Sequence, residues 1–194
     1  MLYIAKRPTD SKLWNYYLLY KLSLVKQSIL GVFYIEKLGY YGPVLDLDEK
    51  DLEKVSDIVL PLDEDIVLES LLVTCRRCGW CCEANSGSFL FNSELTYLRS
   101  RYPRLSERLR RYSWVRLYDG SRVKIWHLDT GPHGRCMFYN PLERRCLIHE
   151  AKPVVCILTY CARFAIDRHG NRYVRVGTAD ERGRVRFRRA GGST

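Results

Sequence analysis

Apolar residues near the start of the chain recur at the spacing of an α-helix. The pattern covers residues 11–29, where Asp10 or Ser11 can cap the N-terminus. Four apolar positions share one face: Leu18, Leu22, Val25 and Ile29. Residues 32–35 are β-branched and aromatic, so they can continue the helix or form a short strand. Glycines and a proline at 39–43 predict a turn.

The apolar stretch from Leu13 to Leu38 is the nearest approach to a membrane span in the sequence. Lys21 and Lys26 interrupt it, and a span needs about 18–20 nearly uninterrupted apolar residues. We therefore expect a buried helix and no membrane span. The N-terminus also lacks the apolar core and cleavage site of a secretory signal, which favours a cytoplasmic protein.

An acidic segment follows at 46–69, with ten acidic residues against two lysines. Its pattern predicts two short helices, about 48–58 and 63–73, separated by Pro61. We favour a solvated acidic face, and the alternative is an intramolecular partner for the basic half of the chain.

Short strands and helices alternate after residue 85. A strand is predicted at 86–91, followed by a helix from Asn92 or Ser93 to about residue 102 and another at about 105–112. Two alternating runs flank Asp119-Gly120 and predict a β-hairpin: 114–117 and 123–128. Three later runs predict a small antiparallel meander: 164–166, 173–176 and 185–187.

Together these elements predict an α+β fold, a small cysteine-rich domain stapled by metal, with N-terminal helices and short antiparallel strands. We expect an N-terminal helical extension with the acidic segment at 1–72, a cysteine-cluster metal-binding domain at 73–162, and a basic β-meander with a flexible tail at 163–194. A chain of 194 residues can fold these three segments into one unit.

The net charge of +10 is concentrated in the second half of the chain. Residues 93–194 carry 22 basic and 9 acidic side chains, and almost all the basic ones are arginine. Arginine presents a planar fork suited to phosphate and carboxylate. The basic half therefore allows an anionic partner, either a nucleic acid or an acidic protein, and the alternative is a solvated charged surface.

Eight cysteines dominate the candidate chemistry, in two separate segments. Four lie in one C-x2-C-x2-C-C run: Cys75, Cys78, Cys81 and Cys82. The others are wider apart and must converge through tertiary structure: Cys136, Cys146, Cys156 and Cys161. A core has no need of thiols at a regular step of three, whereas thiolates at this step can surround one metal centre. Without an export signal, metal ligation is favoured over disulfides.

The step of three residues favours iron–sulfur, most of all a [4Fe–4S] cluster, because it opens the cluster loop of bacterial ferredoxins. Zinc is the alternative, although a zinc ribbon usually shows two separate C-x2-C knuckles. Eight thiols can hold one or two centres. Cys146 and His149 could form a zinc pair, but a lone histidine is more often structural.

The sequence resembles the YkgJ-type cysteine-cluster proteins, also described as the CxxCxxCC zinc- or iron-chelating domain. The resemblance rests on the first cysteine run and on a later pattern, Cys146-Leu-Ile-His-Glu150 followed by Pro153-x-x-Cys156. It implies seven ligands: Cys75, Cys78, Cys81, Cys82, Cys136, Cys146 and Cys156. Cys161 is an addition to the family pattern and a candidate eighth ligand.

Three functions follow as hypotheses. The first is an iron–sulfur protein with a redox or electron-transfer role, which as an enzyme would be an oxidoreductase. The second is a zinc-stabilised, arginine-rich module that binds nucleic acid or protein. The third is an enzyme of the protein-lysine methylation type, since a flagellin lysine methylase shares a similar cysteine cluster, although no glycine loop for S-adenosylmethionine is visible. No catalytic residue and no oligomeric state can be assigned.

Overall fold

The chain passes between two structural units more than once along its length. The computed structural model describes residues 1–62, 72–73, 82, 88–128, 130, 134–158, 164–166, 172–176 and 186–189. Residues 72–73 and the strands beyond 158 are described by their backbone alone. The first unit comprises Met1–Arg7, Gln27–Arg76 and Tyr160–Thr194, and the second comprises Pro8–Lys26 and Arg77–Thr159. The predicted boundaries at 72 and 162 stay a prediction.

The secondary structure combines short helices with antiparallel strands. The strands are β1 (Leu2–Ala5), β2 (Ile29–Ile35), β3 (Tyr40–Asp46), β4 (Val59–Pro61), β5 (Leu72–Val73), β6 (Phe89–Phe91), β7 (Tyr112–Arg116), β8 (Arg122–His127), β9 (Tyr139–Asn140), β10 (Arg145–Cys146), β11 (Phe164–Ile166), β12 (Arg172–Val176) and β13 (Arg186–Arg189). The α-helices are α1 (Lys12–Leu24), α2 (Glu49–Val55), α3 (Asn92–Arg101), α4 (Pro103–Ser106) and α5 (Val154–Ile157). The α+β class is confirmed.

The first unit is built on an antiparallel sheet with the strand order β13-β12-β11-β5-β2-β3-β1-β4. The predicted meander after residue 163 is confirmed as β11, β12 and β13, which join the sheet through β5. The predicted turn at 39–43 is wrong: the chain turns at Glu36–Leu38 and Gly39, which has a φ of 68°, and β3 begins at Tyr40. The supposed helical extension therefore contributes strands as well as helices.

The core of the first unit is an apolar cluster around β1, β2 and β3. Five buried residues form it: Ile4, Phe33, Ile35, Val44 and Leu62. Glycine is required at position 42, because a Cβ there would lie 2.9 Å from Ile4 Cδ1 and 3.0 Å from Tyr40 Cε2. Ile4 is fully buried, so it has little room to move away.

We expect Gly42→Ala to lower the free energy of unfolding by about 1–3 kcal/mol, because the added methyl overpacks this cluster. Urea unfolding followed by circular dichroism would measure the loss. Ile4 Cγ1 would also lie 2.9 Å from the added methyl, so Ile4→Ala, which removes both Cγ1 and Cδ1, should reduce the cost of Gly42→Ala when the two are combined. An alanine variant as stable as the wild type would contradict the overpacking argument.

The second unit begins with α1, which is shorter than predicted. Ser11 Oγ accepts a hydrogen bond from the Trp14 backbone N–H at 3.3 Å and caps the helix start. The helix ends at Leu24 and a 3₁₀ turn follows, so the predicted extension to residue 29 is wrong. Ile29 is instead the first residue of β2, where it pairs with Leu45. Strand pairing overrides the helical spacing at this point.

A three-stranded antiparallel sheet follows in the order β6-β8-β7. The predicted hairpin is confirmed as β7 and β8, with Gly120 at a φ of 85° in the turn between them. The predicted helix at 105–112 is wrong: α4 ends at Ser106, and Tyr112 already belongs to β7. None of the helices in the described part of the chain is long and apolar enough to cross a membrane.

Candidate metal centre

A buried carboxylate fixes the helix that carries Cys156. Glu94 is 2% exposed, and its Oε2 accepts a hydrogen bond from the Phe91 N–H at 2.9 Å. Its Oε1 accepts one from the Val154 N–H, at the start of α5, at 2.7 Å. One side chain thereby ties the first turn of α3 to the first turn of α5.

Lys26 supplies a counter-charge to this carboxylate. Its Nζ lies 3.4 Å from Glu94 Oε1 and donates to the Lys152 carbonyl at 3.3 Å, and the Lys26 side chain is only 8% exposed. It also lies over the Tyr97 ring, 5.2 Å from the centroid. Burial raises the pKa of Glu94, and the positive charge of Lys26 opposes the rise. The carboxylate is thus costly to bury but fully hydrogen-bonded.

Sequence reasoning placed Glu94 on a helix after the cysteine run but gave it no role. Its contact with the Phe91 N–H is predictable, because a glutamate in the first helical turn often accepts a hydrogen bond from the backbone N–H just before the helix. The contact with Val154 spans 60 positions of sequence and has no local signal.

The later cysteines lie on short elements at the edge of the second unit's core. Cys136 precedes β9, and its N–H donates to the Cys82 carbonyl at 2.8 Å, which links the two cysteine segments. Cys146 ends β10 and pairs with Tyr139 of β9. Cys156 lies in α5, where its N–H donates to the Pro153 carbonyl at 2.9 Å. All three side chains pack against the buried cluster that contains Leu90, Leu98 and Phe138.

The three later thiols lie within electrostatic reach of one another. The pKa of Cys156 is raised to about 12, first by burial and then by the neighbouring Cys136 and Cys146 thiols. A hydrogen bond with Ser88 and the charge of Lys152 act in the opposite direction. Cys82, Cys136, Cys146 and Cys156 form no disulfide.

The predicted ligand set is only partly within the described residues. Cys75, Cys78, Cys81 and Cys161 lie outside them. Among the residues that are described, no three histidine, cysteine or acidic side chains are gathered closely enough to hold a metal ion by themselves. The fold brings Cys136, Cys146 and Cys156 towards one another, and the ligand assignment stays a prediction. Soft thiol donors on a shared, mostly apolar edge fit zinc or iron–sulfur.

His149 lies in a surface cleft next to Cys146. The cleft has a volume of about 430 Å³ and is lined by seven residues: Tyr102, Glu143, Arg145, Cys146, Leu147, His149 and Glu150. Cys146 and His149, the predicted zinc pair, therefore line the same cleft. Among the described residues, however, they belong to no group of three side chains that could hold a metal ion.

Comparisons with known proteins place the cysteine segments in a described family. The model of the family described as "CxxCxxCC: Putative zinc- or iron-chelating domain" matches residues 74–173, which is half of the chain. The chain is also similar to uncharacterized protein MJ0661 of Methanocaldococcus jannaschii, with 26% identity over 95 residues. This match covers 48% of the chain and 47% of the relative, so the chain spans about half of that protein's length. No solved structure matches the chain.

Proposed function

Because the chain belongs to the CxxCxxCC family of zinc- or iron-chelating domains, we propose that it is an iron–sulfur protein with a redox or electron-transfer role. The observation that supports this most is that Cys136, Cys146 and Cys156, which are far apart in sequence, all pack against the same buried cluster. Cysteines of a simple core have no reason to converge in this way.

The proposed ligands are the seven thiols of the family pattern: Cys75, Cys78, Cys81, Cys82, Cys136, Cys146 and Cys156. Cys161 is a candidate eighth. A bound cluster of this kind supplies one-electron transfer. The chain's own contribution is to position the thiols, as where Glu94 holds the start of α5, the helix that carries Cys156. Thiols kept for ligation fit a reducing compartment, so we also propose the cytoplasm.

We expect protein purified without oxygen to contain iron and acid-labile sulfide and to show the broad visible absorption of an iron–sulfur cluster. Cys156→Ser should lose most of the iron and the absorption, because it removes a proposed ligand that packs against the same cluster as Cys136 and Cys146. Metal analysis and absorption spectroscopy on the same samples would measure both.

Cys161→Ser is the informative comparison, because this residue stands outside the family pattern. It should keep the full iron content if the chain holds one centre, and about half if its thiol belongs to a second one. Stoichiometric zinc without visible absorption would contradict the redox proposal and identify a structural zinc module.

A further inference from the structure

One face of the β7–β8 hairpin combines aromatic rings with positive charges. Residues that pair across antiparallel strands project to the same side of the sheet. Three such pairs share this side: Tyr112 with Trp126, Trp114 with Lys124, and Arg116 with Arg122. We call these six residues the hairpin face. None of them is acidic.

Two of the three aromatic rings of the hairpin face are largely open to solvent, and the third, Trp126, is half-buried against the core of the second unit. Tyr112 is 54% exposed and Trp114 is 55% exposed, although both are large enough to be expected in a core. They lie on β7, the edge strand of the sheet. The opposite side of the hairpin is different, because Ile125 on β8 is only 2% exposed. The hairpin is thus anchored at Ile125 and Trp126 and exposes ring surface at Tyr112 and Trp114.

The positive charges of the hairpin face have no acidic partners within the described part of the chain. Arg116 and Arg122 are exposed, and no ion pair is recorded for either within the described part of the chain. Lys124 Nζ lies 3.8 Å from the Tyr112 ring centroid and 4.4 Å from that of Trp126. Cation–π contact holds this ammonium among the rings without cancelling its charge.

We propose that the hairpin face binds single-stranded nucleic acid. A base would stack on the Trp114 ring, and phosphates would bind Arg116, Arg122 and Lys124, which Tyr112 and Trp126 hold in place. Rings interleaved with cations match a polymer whose repeat contains a flat base and an anionic phosphate. An acidic protein surface would use the cations but leave the rings exposed. The proposal is independent of which metal the cysteines bind.

The test measures binding of the full-length protein to a fluorescein-labelled 12-nucleotide oligothymidylate or oligouridylate by fluorescence anisotropy. Trp114→Ala should weaken binding about tenfold, which is the usual size of one lost stacking contact. Trp114→Phe keeps a ring and should retain most of the affinity. The logarithm of the association constant should fall with the logarithm of salt with a slope of about −2, as three phosphate contacts on a single strand predict.

Charge reversal provides a matched pair of variants. Arg116→Glu with Arg122→Glu should weaken binding more than tenfold and reduce the salt slope by about 1.4. Arg99→Glu with Arg104→Glu changes the net charge equally at exposed positions of α3 and α4. This second pair should stay within about threefold of the wild type. Circular dichroism would confirm that all variants keep the wild-type fold.

Three results would overturn the proposal. Unchanged affinity of Trp114→Ala would show that the rings take no part. Equal losses in the two charge-reversed variants would indicate general attraction to a basic protein. Binding of an oligoglutamate of matched charge, or of a duplex of the same length, as tightly as the single strand would identify a different class of partner.

Discussion

Replacing Glu94 with alanine is expected to lower the free energy of unfolding by about 3–5 kcal/mol, the usual cost of removing one partner of a buried ion pair. The substitution leaves the Lys26 ammonium buried without its carboxylate. It also leaves the Phe91 and Val154 N–H groups without their acceptor. Because α5 begins at Val154, we also expect a lower metal content through misplacement of Cys156.

Urea unfolding and metal analysis of the purified variant would check both effects. Glu107→Ala is the control, because Glu107 is exposed in the same part of the second unit and should cost less than about 0.5 kcal/mol. Glu94→Gln keeps one acceptor oxygen and should have an intermediate cost of about 1–3 kcal/mol. A Glu94→Ala protein as stable as the Glu107→Ala control would show that the buried pair contributes nothing.

The pKa of Glu94 gives this comparison a pH dependence. Its raised pKa in the folded state means that folded protein binds this proton more tightly than unfolded protein. The corresponding stability is fully present below the carboxyl's ordinary pKa and is lost as pH rises through the raised value. As pH rises, the unfolding free energy of the wild type should therefore fall relative to that of Glu94→Gln. A difference that moves the other way would contradict the assignment.

Phe138→Ala is expected to cost about 3–5 kcal/mol, the range for removing a buried aromatic ring. Phe138 is fully buried in the core of the second unit. Cys146 packs against the same buried cluster as the Phe138 ring, so a cavity there should also disturb the position of this thiol. The loss should therefore appear both in unfolding by urea and in reduced metal retention.

Leu142→Ala is the matched control for this substitution. Leu142 lies in the turn of the same hairpin and is 93% exposed, so truncating it should change the unfolding free energy by less than about 0.5 kcal/mol. Phe138→Leu should recover part of the loss, because it refills part of the cavity. If the Phe138→Ala and Leu142→Ala proteins unfolded at the same urea concentration, the burial argument would fail.

Elements with a local signal were predictable from the sequence. Asp119-Gly120 between alternating runs was sufficient for the β7–β8 hairpin, and the short turns after residue 163 were sufficient for the meander. The end of α1 was not predictable, because apolar residues keep the helical spacing as far as Ile29. In the structure, Ile29 belongs to β2 and pairs with Leu45. Pairing between residues distant in sequence decided that boundary.

The candidate site likewise has a part that was predictable from the sequence and a part that was not. Cysteine spacing and family resemblance identified the thiols, because ligand chemistry restricts which residues can recur at those intervals. The support beneath them was not predictable, since Glu94 reaches Val154 and Lys26 only through the folded core. Most charged residues on short helices are exposed to solvent, so the sequence does not distinguish Glu94 from them. Only its burial in the structure shows that it has a structural role.

The order of the strands in the first unit has a consequence for how the protein is made. β11, β12 and β13 join β5 in the sheet, but in the chain they follow it only after all the elements from β6 to α5. The sheet cannot be completed before they are translated, so the edge of β5 must wait for β11 to emerge. Pairings over such long stretches of chain form slowly and leave open edges exposed in the meantime. Completion of this sheet in a nascent chain therefore depends on strands that are translated long after the strand they join.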